Sequence, residues 1–154
     1  MANTAFTNTL ESEVLNSTLR GAGFTAKGGT ALFLAFLTNS TNDGTIAELA
    51  AGGSYTGTGR PAFSGTAGQQ FSTGAGTNVA SANGAPLVNA QAITFTATAT
   101  HTGIVGIAIC TSSTVGSSLE TFGIYYGDLT GGSVTLTAGQ SITFAAGAIS
   151  VSLD

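Results

Sequence analysis

Charge is what this 154-residue chain has least of: 6% of its residues are Asp, Glu, Lys or Arg, against about a quarter in an ordinary soluble domain. Arg20, Lys27 and Arg60 are its only cations, and the net charge is −4. A nucleic-acid footprint needs clustered Lys or Arg to displace counterions, and three scattered cations cannot supply one. There is one cysteine, so no internal disulfide can form and nothing asks for an oxidising compartment. There is one histidine and no tryptophan. The longest apolar run, residues 31–37, falls far short of the ~20 residues that span a bilayer. The first residues, MANTAFTNTLESE, lack the basic and apolar regions of a secretory signal, which predicts a protein made in the cytosol. A surface this neutral has little repulsion to keep copies apart, and points to a structural assembly subunit.

What the chain does have is patterned. Phe6, Leu10, Val14, Leu15 and Leu19 recur near helical spacing. Thr7 or Asn8 can cap the start, Glu11 and Glu13 suit the positive end of the dipole, Arg20 suits the negative end, and Gly21 supplies a stop. The reading is a helical segment over residues 1–21 that must dock on a sheet or a neighbouring subunit. Residues 31–37, ALFLAFL, are fenced by glycines and a polar stretch, and read as a strand buried on both faces. Residues 46–51 could make a helical turn. Residues 52–84 are dense in Gly, Ser, Thr and Ala, relieved by Tyr55, Phe63, Phe71 and Val79, and read as short strands or an extended arm pinned by those side chains.

The second half alternates more cleanly. Ile93, Phe95, Ala97 and Ala99 fall on one face and four threonines on the other, the pattern of a half-buried strand over residues 93–100. Residues 104–110 form a second two-sided apolar run, and 122–126, 134–137, 141–144 and 149–153 continue the series between Gly-rich turns. Strands at such spacing predict a single all-β domain over 1–154. Its architecture is read as a β-sandwich over 31–154, jelly-roll or immunoglobulin-like, with one N-terminal α-helix.

Catalytic motifs fail one by one. Gly52 and Gly57 have the outer spacing of a phosphate-binding loop, but Thr58 stands where the lysine must be. Two loose G-x-G-x-x-A matches, starting at Gly21 and Gly57, do not lie between a strand and a helix, and Pro61 interrupts the second. His101 would need Asp128 or Glu120 and an unmarked serine, and no G-x-S-x-G elbow exists. Cys110 ends an apolar strand and reads as a small core residue, and one Cys with one His makes no zinc site. Glu11 and Glu13 point to different sides of a helix. Asp43, Glu48, Glu120 and Asp128 read as turn chemistry or a salt link rather than a hydrolase pair. The oxygen-rich run from Asn39 to Gly44 lacks the spacing of a calcium loop. The expectation is a non-enzyme without cofactor or metal.

One set of stretches carries a family likeness. These are Glu11-Ser-Glu-Val-Leu-Asn-Ser-Thr-Leu-Arg-Gly21, the strand at 32–37, Glu48 with Gly52-Gly53-Ser54-Tyr55, and Ile93-Thr-Phe95. His101-Thr-Gly-Ile-Val-Gly-Ile-Ala-Ile109, Tyr126-Gly-Asp-Leu129 and residues 138–148 complete it. In order and content they resemble small tailed-bacteriophage virion proteins, of the head decoration or tail-fibre-like kind. One departure is that Gly57 stands where such proteins usually carry an arginine, and Arg60 arrives later. The resemblance implies a virion component assembled in the host cytoplasm. The favoured form is a capsid-surface cement or decoration protein, a homotrimer contacting the major capsid protein. The alternative is a tail or fibre-associated protein, with host-surface or carbohydrate binding through an exposed Tyr125 or Tyr126. The expected interface comprises Phe6, Leu10, Val14, Leu19, Tyr55, Phe63 and Phe71.

Overall fold

The computed structural model describes residues 4–23, 31–39, 46–49, 59–65, 70–72 and 87–151. Strand β1 (Thr4–Phe6) leads into helix α1 (Asn8–Arg20), followed by β2 (Phe33–Asn39), β3 (Ala47–Glu48), β4 (Phe71–Ser72), β5 (Leu87–Asn89) and β6 (Ile93–Thr96). Then come β7 (His101–Ile104), β8 (Gly106–Cys110), the one-turn helix α2 (Leu119–Phe122), β9 (Gly123–Asp128), β10 (Val134–Leu136), β11 (Ser141–Phe144) and β12 (Ser150–Val151). One layer is a five-stranded antiparallel sheet in the order β1-β9-β8-β2-β3. The other is built from shorter ribbons, β10-β7, β11-β6 and β12-β5-β4. The result is an all-β sandwich with an N-terminal helix.

The apolar run around β2 earns its central place by having no polar face to give to water. Leu34 and Phe36 point to one side and Ala35 and Leu37 to the other, all at 0% exposure. Leu34 and Phe36 meet Ile93, Phe95, Ala97, Ile104, Leu136 and Ile149 from the second layer. The Phe36 ring lies 4.8 Å from that of Phe95, which fixes the two layers against each other. On the far side, Ala35, Leu37, Ala108 and Cys110 are covered by Leu119 and Tyr126. β6 keeps the expected alternation through Ala97, and its outward Thr94 and Thr96 bond across to Thr143 and Ser141 at 2.9 and 2.7 Å. Residues 101–110 pass from the second layer to the first. The register slips by one residue where Gly103, at φ 72°, bulges β7 against β10. Val105 then donates to Leu37 O at 2.8 Å and so joins the five-stranded sheet.

Three local expectations change. Residues 4–6 are a strand rather than the start of the helix, because Thr7 leaves the sheet edge with its N–H on Ile124 O and its side chain capping Leu10 N. Residues 47–48 pair with β2 instead of coiling, and Leu49 N–H reaches Phe36 O at 2.8 Å, so the backbone of an otherwise open edge is satisfied. Phe122 ends α2 rather than opening β9, since it closes a turn onto Ser118 O at 3.0 Å. The cap at Gly21 is as expected, left-handed at φ 65°.

Candidate interaction surface

One acidic side chain the sequence offered for chemistry, Glu48, is committed with Arg60 to holding the fold. Glu48 on β3 takes both ends of the Arg60 guanidinium, from Nε to Oε1 and from Nη2 to Oε2, each at 2.7 Å. The remaining guanidinium N–H groups donate to Ser112 O, Ser117 Oγ and Ser117 O at 2.9–3.0 Å. All five donors of the guanidinium are therefore used. Gly116 N–H adds a third bond to Glu48, and Arg60 N–H donates to Ser113 O. This largely buried clamp ties β3 and the segment at residue 60 to the 112–117 loop, and the salt-link reading of Glu48 is what the structure contains. Cys110 lies beside it: burial pushes its thiol up to about 11 against the opposing pull of Arg60. Its Sγ–H points to Phe33 O at 3.4 Å. A thiol so held is a poor nucleophile. Asp43 lies outside the described residues.

His101 is buried against Phe95, and its Nε2 has no hydrogen-bond partner among the described residues. Among the described residues no group of three or more His, Cys, Asp or Glu could hold a metal ion. Tyr126 is buried, and Tyr125 packs its ring 4.8 Å from Phe6, with its hydroxyl pushed up by burial. Tyr126 therefore presents no exposed ring, whereas Tyr125 is half-buried.

The expected interface residues divide sharply. Leu10 and Phe63 are buried in this chain's own core, and Phe6, Val14 and Phe71 pack against it, with the Phe63 and Phe71 rings 5.1 Å apart. Tyr55 lies outside the described residues. Leu19 is 78% exposed and its neighbour Leu15 is 56% exposed. Leu10, Val14, Leu15 and Leu19 recur near helical spacing, but at 100° per residue Leu15 and Leu19 turn to the side of α1 opposite Leu10 and Val14. Val14 and Leu15 are adjacent, and adjacent residues of a helix do not share a face. That signal was enough to separate them. On that outward face of α1, Asn8, Ser12, Leu15 and Leu19 are all exposed and spaced by four, three and four residues, the spacing of a coiled-coil seam. Phe122 on the adjoining α2 is also partly exposed. No helix among the described residues is long and apolar enough to cross a membrane.

The resemblance to phage virion proteins has an independent counterpart. A family model described as "Podophage GP4 fiber I protein gp80" matches residues 5–152. No curated protein matches the chain. The matched span runs from β1 to the end of β12 and so takes in the helix, both layers and the buried clamp. With nearly its whole length matched, the chain belongs to the podophage GP4 fiber I protein gp80 family, a family of phage fibre-like virion structural proteins.

Proposed function

We propose that this protein is a fibre-associated structural subunit of a tailed phage particle, working as a homo-oligomer, rather than a cement protein on the capsid lattice. The observation that carries the reading is the family match across 5–152, whose description is of a fibre. The outward Leu15–Leu19 stripe of α1 supports self-association, because two large apolar side chains stand in water on a face this chain does not cover. Two outward leucines one turn apart, Leu15 and Leu19, suit a bundle of like helices, and three copies is the arrangement we favour. Contact with the major capsid protein is no part of the fibre reading.

Copy number in purified virions separates fibre from cement. Quantitative mass spectrometry is expected to find a few copies per particle, and capsid-lattice numbers would return the cement reading. Light scattering on the full chain tests the assembly. The wild type is expected to be oligomeric, whereas Leu15→Glu/Leu19→Glu becomes monomeric with its thermal midpoint barely moved, since neither side chain contributes to the core. A wild-type monomer, or an oligomer indifferent to both substitutions, removes α1 from the interface.

A further inference from the structure

The second layer is largely two segments laid antiparallel along their length. β5, β6 and β7, in residues 87–104, pair in turn with β12, β11 and β10, in residues 134–151. The other side of the first segment is met at both ends, by β4 at β5 and by Leu37 O at Val105, the residue after β7. The second segment has no strand on its other side: among the described residues β10, β11 and β12 each stand at the end of their sheet. Turns closed by Gln140 N–H on Thr137 O and by Ala148 N–H on Ala145 O bound β11, which at four residues is the longest of these edges.

Ala97 N–H donates to Gln140 O at 2.8 Å, which fixes how the peptides of β11 alternate. Ile142 and Phe144 turn N–H and C=O to β6. Ser141 and Thr143 turn theirs outward, where no main-chain group of a described residue meets them. Their hydroxyls bond across the ribbon to those of Thr96 and Thr94. The side chains of Ile142 and Phe144 pack on the core yet stay partly exposed at this border. Folded proteins commonly blunt such an edge with charge or proline. From Leu129 to Leu153 this chain has neither.

We propose that β11 is a second surface of self-association, on which the same strand of another copy lies antiparallel about a two-fold axis through Ile142. The occupant is a second copy because an antiparallel edge is complementary to itself. Ser141 of one copy faces Thr143 of the other, each outward N–H meets a C=O, and Ile142 packs on Ile142 along the core-facing side. No like charges meet, since the strand and its turns are uncharged. So short an edge buries well under the ~1,200 Å² of a stable interface, and one such contact does not hold two single chains together. It acts between oligomers already joined through α1, where several edges engage at once. The inference therefore rests on the α1 reading and adds to it the docking of one oligomer on another.

Light scattering across a concentration series, with amide hydrogen exchange on the same samples, tests this. The full chain is expected to pass from the α1 oligomer to twice that mass as concentration rises. The Ser141 and Thr143 amides, exchanging freely in the dilute sample, are expected to become protected in the heavier species, as Ile142 and Phe144 are throughout. Ser141→Lys/Thr143→Lys changes two exposed side chains and sets lysines opposite one another across the axis. It is expected to hold the α1 oligomer at every concentration, with Tm unmoved. An oligomer that never doubles overturns the β11 contact alone and leaves α1 standing. A doubled species that the lysines do not prevent, or in which the two amides still exchange freely, does the same. Protection already complete in the dilute sample shows the edge covered within the chain and also overturns the contact. A chain monomeric at every concentration overturns the α1 reading and this inference together. Should the lysine variant not fold, amide exchange in the wild type decides alone.

Discussion

Removing Arg60 should cost this protein more than any other single change to a polar side chain. Its guanidinium is fully buried and Glu48 nearly so. Arg60→Ala would leave the Glu48 carboxylate with Gly116 N–H in place of three bonds, and would strip partners from Ser112 O and Ser117 O. Breaking a buried pair by deleting one partner costs about 3–5 kcal/mol, a large fraction of the roughly 5–15 kcal/mol that holds a domain together. In a chain of this size that is a fall of about 6–20 °C in Tm. Arg60→Lys keeps the charge but supplies three donors in place of a planar fork of five, so it should recover only part of the loss. Urea unfolding with the slope held in view is the assay. The double substitution Arg60→Met/Glu48→Leu supplies the decisive comparison. With no charge left stranded, it should be more stable than either single change, and the cycle should show strong coupling. Should Arg60→Ala lie within about 1 kcal/mol of wild type, the clamp is decorative and the reasoning fails.

Two further outcomes follow from close packing and from burial. Gly123 has extended backbone angles that any residue adopts, yet a Cβ there would strike Leu119 O and come within 2.9 Å of Thr7 Cγ2. Gly123→Ala should thus lower stability by about 1–3 kcal/mol through overpacking, read as a reduced urea midpoint, and an unchanged midpoint would show that the α1–β9 junction yields freely. Cys110 holds its proton to about 11 when folded but ionises near 9 when unfolded, so the native state binds more protons between those values and stability falls as pH rises through them. At about 1.4 kcal/mol per pH unit the loss is roughly 2–3 kcal/mol. Comparing pH 9 with pH 11, Cys110→Ala should lose correspondingly less than wild type, and equal losses would refute the assignment.

Much of this fold could be read locally. The strict alternation at 93–97 needs only the two-residue period of a strand, and the helix announces its ends through Thr7 and Gly21. β2 shows by its lack of any polar face that it lies inside a sheet. What could not be read depends on contacts distant in sequence. β1 is a strand only because β9, some 120 residues later, offers an edge to residues that would otherwise extend the helix. Glu48 and Arg60 stand twelve residues apart, but the carbonyls and hydroxyl that complete their clamp come from a loop more than fifty residues beyond Arg60. Their spacing in a featureless stretch marks Phe63 and Phe71 as anchors. That Phe63 is buried in this chain's own core, with Phe71 packed against it, is decided by tertiary packing.

The clamp also bears on why so few charges suffice. Burying Glu48 with Arg60 withdraws one charge of each sign, so the net of −4 is unchanged while the surface loses one of only three cations. Among the described residues Arg20 is then the one exposed cation, and it sits at the end of the helix that carries Leu15 and Leu19. Attraction between opposite charges can contribute little where cations are this scarce, and repulsion is equally weak. The association we propose through α1 must therefore rest on apolar area, and among the described residues α1 offers such area in its outward leucines. A helix too short to be stable alone is held by Thr7, Leu10 and Val14, and its opposite face is left outward for the contact we propose.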